Sequence, residues 1–317
     1  MKCEIFCFRN PEISGNMDIK CDHNEEILSF SSSTKHSVLI LSNNYVYVFG
    51  NNSKYQLGTN KYDNYSKFER EIYSHEFIEA QCGNDFTIWK DSRKKFYISG
   101  YDTYKTPTLM PFECQMLSVF GNTLAILIDS INIRLYTDFP RSYEFISCIL
   151  PDKPLQISAG ESFVSILING SLFLMNKSGN LLRIPPYIAN IVSISSTHTY
   201  TLALDSDHTL HMHGDLPDHP RQYQNPISQD VISFKAFKNH CIFQKSNLQL
   251  WLYGQNHITN RLALRPVHLE IDHLIEAYTS SDTYTLLYSS HNLSKVLPKT
   301  NLEELSYQLD SQIDLFT

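Results

Sequence analysis

Glycine is scarce in this 317-residue chain, with eleven in all. The pattern G-x-G-x-x-G, a P-loop and a nucleophile elbow are all missing, so the expected functions do not include dinucleotide chemistry or conventional catalysis on a small molecule, and no cofactor is expected. Asn43-Asn44, Asp129-Ser130, Asp205-Ser206-Asp207 and Ser246-Asn247 stand where tight turns have to be made, each a residue type that tolerates or stabilises turn geometry. Positive charge is also in deficit. Lys and Arg number 26 against 33 Asp and Glu, a net charge of −7, and neither end carries a basic run, so the electrostatic footprint of a phosphate-backbone binder is missing and direct nucleic-acid binding is not expected. The seven cysteines, Cys3, Cys7, Cys21, Cys82, Cys114, Cys148 and Cys241, are odd in number and form no C-x-x-C pair. That usage fits reduced thiols in the nucleus or cytoplasm, several of them in strand patterns as core residues. No apolar run is long enough for a signal peptide or a membrane span, so a soluble chain without membrane association is expected.

What is present is a repeated hairpin. The chain is 42% hydrophobic and 12% aromatic, enough to bury a substantial core. From Lys35 to Gly58 it reads KHSVLILSNNYVYVFGNNSKYQLG. Ser37 to Leu41 predicts one strand and Tyr45 to Phe49 the next, with Asn43-Asn44 as a two-residue turn. Tyr45, Tyr47 and Phe49 fall on one face and Val46 and Val48 on the other, so both faces must be covered. With His36 as anchor, equivalent positions follow at Phe86, Thr123, Phe163, Tyr200, His240 and Tyr284, at intervals of 50, 37, 40, 37, 40 and 44 residues. Those intervals suit four-stranded propeller blades, and seven copies imply seven blades.

The two ends predict how the ring closes. The seventh copy, from Leu274 to Ser290, has only the first half of the hairpin, whereas CEIFCFRN at Cys3 to Asn10 resembles the second half. The expected fold is therefore all-β, a seven-bladed propeller closed by pairing the N-terminal strand with the last blade, with both strand edges satisfied. Residues 11 to 26 read as a connection. The propeller is expected to span residues 1–290 as a single domain and monomer, followed by a tail at 291–317. In that tail Leu302, Leu305, Leu309, Ile313 and Phe316 mark the apolar face of a short helix, with Thr300 and Glu303 as a capping box and Pro298 upstream.

The repeat resembles that of the regulator of chromosome condensation family, roughly A-G-x-x-H-x-x-A-L, a turn, then G-x-V-Y-x-W-G-x-N-x-x-G-Q-L-G. His36, Ser37, Leu39, Val46, Tyr47, Gly50, Asn52, Gln56, Leu57 and Gly58 match it, and Ser158 to Ser162 and Gly83-Asn84-Asp85 match its start. The likeness runs to about Ser290, though only the first copy lies near the consensus. It implies a protein-interaction propeller whose partner is a Ran-like small GTPase, with guanine nucleotide exchange as the associated activity. The alternative it leaves open is a non-catalytic scaffold for other protein partners. In the family's exchange factor, acidic residues in the loops entering each hairpin face the GTPase, and the matching positions here are Asp85, Glu161 and Asp282. Carboxylates there would compete with nucleotide phosphate for the partner's lysine and metal site. The plainer reading is that short acidic side chains cap loop amides.

Three other stretches bear on function. Residues 59–76, rich in charge and tyrosine, are either a binding loop or a blade connection holding the usual outer strand. The stretch Phe139 to Pro154 shows no residue-by-residue match to the wedge hairpin that the family's exchange factor presses on its GTPase. His208, His211, His213 and His219 could place two imidazoles on one strand face as a metal-dependent site, but His211 and His213 occupy the positions of Tyr47 and Phe49 and read more simply as packing residues, so no metal is expected.

Overall fold

The first hairpin sets the pattern. In the computed structural model, which describes residues 3–9, 15–19, 25–184, 190–214, 226–256, 261–271, 273–280, 284–289 and 291–292, its strands are His36–Leu41 and Val46–Gly50. They pair antiparallel with His36 opposite Gly50 and Ile40 opposite Val46. Four residues, Ser42 to Tyr45, connect them rather than two. The Asn44 amide donates to the Leu41 carbonyl at 3.0 Å, and Asn44 takes φ +63°, a tight turn followed by one left-handed residue. Lys94, His208 and Leu248 hold the same place in later blades, with φ between +60° and +66°. The glycine shortage is met here: Asp91 and Asp205 accept the turn amides at Oδ1 and hold the corner without one.

Seven sheets of this kind form the ring. The first blade adds Ile27–Ser32 inside and Tyr65–Glu71 outside the hairpin. Phe77–Cys82, Phe86–Asp91, Phe96–Gly100 and Tyr104–Leu109 make the second; Met116–Phe120, Thr123–Leu127, Asn132–Tyr136 and Ile146–Ile149 the third. The fourth runs Gln156–Ala159, Phe163–Ile168, Ser171–Asn176 and Leu181–Arg183, and the fifth has three strands among the described residues, Ile191–Ser196, Tyr200–Asp205 and Leu210–Gly214. Val231–Phe237, His240–Lys245, Leu250–Asn256 and Arg261–Leu269 make the sixth.

The seventh blade is shared between the chain ends. Ala277–Ser280 and Tyr284–Ser289 supply its inner strands and Cys3–Arg9 its third, with Glu4 opposite Ser289 and Arg9 opposite Tyr284. The expected closure is present, and it is deeper than expected. Gly15–Ile19, read from sequence as part of a connection, pairs with Cys3–Arg9 as the outermost strand, so both outer strands come from the N-terminal side. Polar Gly15-Asn16 and Asp18 do not look like a buried strand because an outer strand has one open side. The tail helix predicted at 300–317 lies outside the described residues.

The two apolar faces of the first hairpin go to different neighbours. Val38, Ile40, Val46 and Val48 pack with Phe77, Ala80, Trp89 and Tyr97 of the second blade. Leu39, Leu41, Tyr47 and Phe49 pack with Ile5, Cys7, Tyr284 and Tyr288 of the seventh. Burial of aliphatic and aromatic area between blades supplies the main driving force for the ring. Residues 59–76 contain the outer strand Tyr65–Glu71, as the plainer reading held.

Candidate functional site

The loops joining each innermost strand to the next emerge together around one mouth of the central channel. Lys35, Asp85, Asn122, Glu161, His198 and Lys238, from six successive blades, line a cavity of about 830 Å³. The loops between third and fourth strands open on the same face: the amides of Asn51, Tyr101 and Phe139 donate to the carbonyls of Lys35, Asp85 and Asn122, each at 2.9 Å. Every entry loop is fastened by its own closing bond. Gly83 donates to Phe86 and Gly160 to Phe163, both at 2.9 Å, and a side chain at either glycine would collide with the ring of the anchor phenylalanine.

The structure brings two of the three predicted carboxylates to this mouth. Asp85 Oδ1 accepts from Lys35 Nζ at 2.6 Å, an ion pair between the first and second blades. Glu161 Oε2 contacts His198 Nδ1, joining the fourth and fifth. The Glu161 carbonyl also accepts the Thr123 hydroxyl at 2.5 Å. Neither carboxylate caps an amide of its own loop through a described bond; both bridge blades. Asp282 lies outside the described residues. Further out on the same face, Tyr104 and Tyr143 share a hydroxyl hydrogen bond of 2.8 Å, Arg141 Nε donates to the Tyr101 hydroxyl at 3.0 Å, and Lys54 pairs with Asp102 at 2.5 Å. The result is a rim of tyrosines and displaceable ion pairs, side chains suited to a protein contact.

Six of the seven anchor residues are buried, and His36, Thr123, Tyr200 and Tyr284 act as rivets between blades. His36 is fully buried; its Nδ1 lies 2.9 Å from Ser33 Oγ and its Nε2 2.7 Å from Thr87 Oγ1. Because Thr87 gives its own proton to the Gln56 carbonyl, Nε2 carries the imidazole hydrogen and Nδ1 accepts. Burial, with a smaller contribution from the Lys35 charge, pulls the His36 pKa down to about 3. Tyr200 reaches the carbonyls of Phe237 and His240, and the Tyr284 hydroxyl meets Ser37 Oγ at 2.8 Å, so the fifth blade is tied to the sixth, and the seventh to the first, in the same way. Asn52, Gln56, Leu57 and Gly58, matched to the repeat consensus, fold the long outer loop. Asn52 Oδ1 accepts from the Leu57 amide at 2.9 Å and Gln56 Oε1 from the Lys54 amide at 2.8 Å.

A second set of channel residues went unnoticed in the sequence, though a signal exists. Five positions before each anchor stand Ser31, Gln81, Ser118, Ser158, Ser195, Lys235 and Thr279, one per blade, all lining the cavity. Ser31 Oγ accepts the Cys82 amide at 3.1 Å, Ser118 that of Ala159 at 2.9 Å, Ser158 that of Ser196 at 2.7 Å and Ser195 that of Ala236 at 3.0 Å. Gln81 Oε1 takes the Val119 amide at 2.9 Å. Each of these five side chains therefore staples its inner strand to that of the next blade.

The histidine cluster resolves into separate structural roles. His211 Nε2 lies 2.8 Å from Asp205 Oδ2, His208 is the left-handed residue of a turn, and burial lowers the His213 pKa. Among the described residues no group of three or more His, Cys, Asp or Glu is placed to hold a metal ion. His219 lies outside the described residues.

The sequence matches no protein-family model and no curated protein sequence. The fold has many solved counterparts. Prp20p from Saccharomyces cerevisiae, a structure described together with its binding properties to Gsp1p and histones, superposes with a TM-score of 0.71 at 14% identity, covering 99% of this chain and 95% of that one. Human WBSCR16 gives 0.70 at 11% identity over 91% and 98%. The CRINKLY ectodomain of the Arabidopsis thaliana receptor kinase ACR4 gives 0.58 at 15% identity over 84% and 91%. At these identities the likeness speaks for architecture, and the chain is a seven-bladed β-propeller of the kind seen in yeast Prp20p and human WBSCR16.

Proposed function

We propose that the propeller binds a protein partner on the face carrying Asp85 and Glu161, that a Ran-like small GTPase is the candidate, and that promotion of its guanine nucleotide exchange is the activity to test. The observation that supports this is the shared placement of Asp85 and Glu161 on one channel mouth, each held by a basic side chain from a neighbouring blade. A partner lysine can take over such an exposed ion pair at little cost, since surface pairs contribute about 0–1 kcal/mol. Asp85 and Glu161 are the proposed GTPase-facing residues, with Asp282 completing the set. The repeat resemblance and the binding of Gsp1p by Prp20p point to the same class of partner. The mechanism would be competitive and electrostatic, with carboxylates drawing the partner's lysine and metal away from nucleotide phosphate and no covalent bond changed.

A second reading is a scaffold without exchange activity. The same contacts favour it, because Lys35 offsets the Asp85 charge that exchange would use and His198 occupies the Glu161 carboxylate. Release of fluorescent GDP from Ran separates the two. Acceleration by the full chain that falls about tenfold in Asp85→Ala and Glu161→Ala is expected of an exchange factor, a loss of roughly 1.4 kcal/mol in the barrier difference. Binding to nucleotide-free Ran without acceleration would leave the scaffold, and absence of both would end the GTPase proposal.

A further inference from the structure

Within the channel one blade breaks the staple pattern. Where its neighbours carry hydroxyl or amide side chains, the sixth has Lys235, whose Nζ passes the seventh blade and donates to the Phe30 carbonyl of the first at 3.0 Å. That bond uses one of three ammonium hydrogens. Among the described residues no carboxylate lies within ion-pair distance of Lys235. The carboxylates that line the cavity are committed elsewhere: Glu79 to Lys90 at 3.0 Å, Asp85 to Lys35, and Glu161 to His198. A cation enclosed without a counter-charge is costly, and burial pulls the Lys235 pKa down to about 8.

The groups around it are donors too. Ser31, Ser118, Ser158 and Ser195 each accept a backbone amide at Oγ, which leaves every hydroxyl hydrogen without a described acceptor and available to the cavity. Thr279, in the blade between Lys235 and Phe30, is almost fully buried, and its Oγ1 has no hydrogen-bond partner among the described residues. An orphaned hydroxyl, a ring of free O–H donors and an uncompensated ammonium in about 830 Å³ of space form an environment that stabilises oxygen-borne negative charge.

We propose that the central channel is a binding site for a small oxyanion, a phosphate or carboxylate group, seated on the Lys235 ammonium beside Thr279 and the serine hydroxyls. This site does not depend on the protein partner proposed for the rim. The test is calorimetric titration of the full chain with inorganic phosphate and, separately, with succinate, at matched ionic strength. Saturable binding that weakens about tenfold to a hundredfold in Lys235→Met, as expected on losing one charge-assisted hydrogen bond, supports the site. Binding of phosphate alone identifies the ligand class as phosphorylated molecules, and binding of succinate alone as carboxylates. If Lys235→Met loses its cooperative melt, Thr279→Val and the Lys235 side-chain resonance of the wild-type chain decide: either anion should raise the pH at which that resonance titrates. No saturable binding of either anion, a resonance that neither moves, or an affinity unchanged in a folded Lys235→Met would overturn the proposal.

Discussion

His36 shows what a single residue contributes to this ring. Its imidazole is matched at both nitrogens in the neutral form, by Ser33 as donor and Thr87 as acceptor. The unfolded chain takes up a proton on this side chain near pH 6.5, whereas the folded chain resists protonation down to about 3. The unfolded state therefore binds more protons across that window, and stability held above pH 6.5 is lost as the pH falls through it, by up to about 1.4 kcal/mol per pH unit from this group. Urea midpoints at pH 7 and pH 5 should show that decline in the wild type and a shallower one in His36→Gln. A slope identical in both would refute the assignment. The repeat pattern singled out His36 but not this role, because a histidine in a strand reads equally as packing, ligand or proton carrier. Asp85 and Glu161 were legible as mouth residues since their loops precede anchors that could be counted. Their pairing with Lys35 and His198 was not, because it joins residues 50 and 37 apart in sequence across a blade boundary.

Single strands and corners were the easiest elements to read. The first hairpin, with valines on one side and aromatics on the other, is built as its alternation predicts, each face meeting a different blade. The outer strands were harder. Gly15–Ile19 and Tyr104–Leu109 carry polar residues or proline and pair along one side only, so period and composition resemble loops. The third-strand corner is the element most open to disruption. Gly100 sits at φ +113°, and a Cβ there would stand 2.4 Å from the Asp85 carbonyl oxygen. Gly100→Ala should cost about 2 kcal/mol or more and loosen the very loop that presents Asp85. Thermal melting measures the cost; a change under about 0.5 kcal/mol, the scale of an ordinary surface substitution, would mean that the corner relaxes.

At the scale of the molecule, the inner staples and anchors, with the Ser233–Tyr278 hydroxyl bond of 3.0 Å between the sixth and seventh blades, make a closed circuit in which each blade holds the next. Deleting residues 1–10 should remove the third strand of the seventh blade, strand Cys3–Arg9, and with it the partner of Tyr284–Ser289. A broadened or absent cooperative melt is expected, and an unchanged transition would show that the ring closes without that strand. Repeat spacing announced the number of blades and the place of closure. It did not announce the channel chemistry, because Ser31, Ser118, Ser158 and Ser195 look from sequence like ordinary solvent-side residues of half-buried strands, and only the ring turns them toward a common axis.

Closure by the chain ends also sets a timetable for synthesis. Strand Cys3–Arg9 leaves the ribosome before any other described strand, yet its neighbour Tyr284–Ser289 is made some 280 residues later. At roughly 5–20 residues per second, the first strand waits on the order of 15–60 s with an unpaired edge. During that interval the nascent propeller is an open arc, and any chaperone that shields a strand edge would find its substrate at the N-terminus.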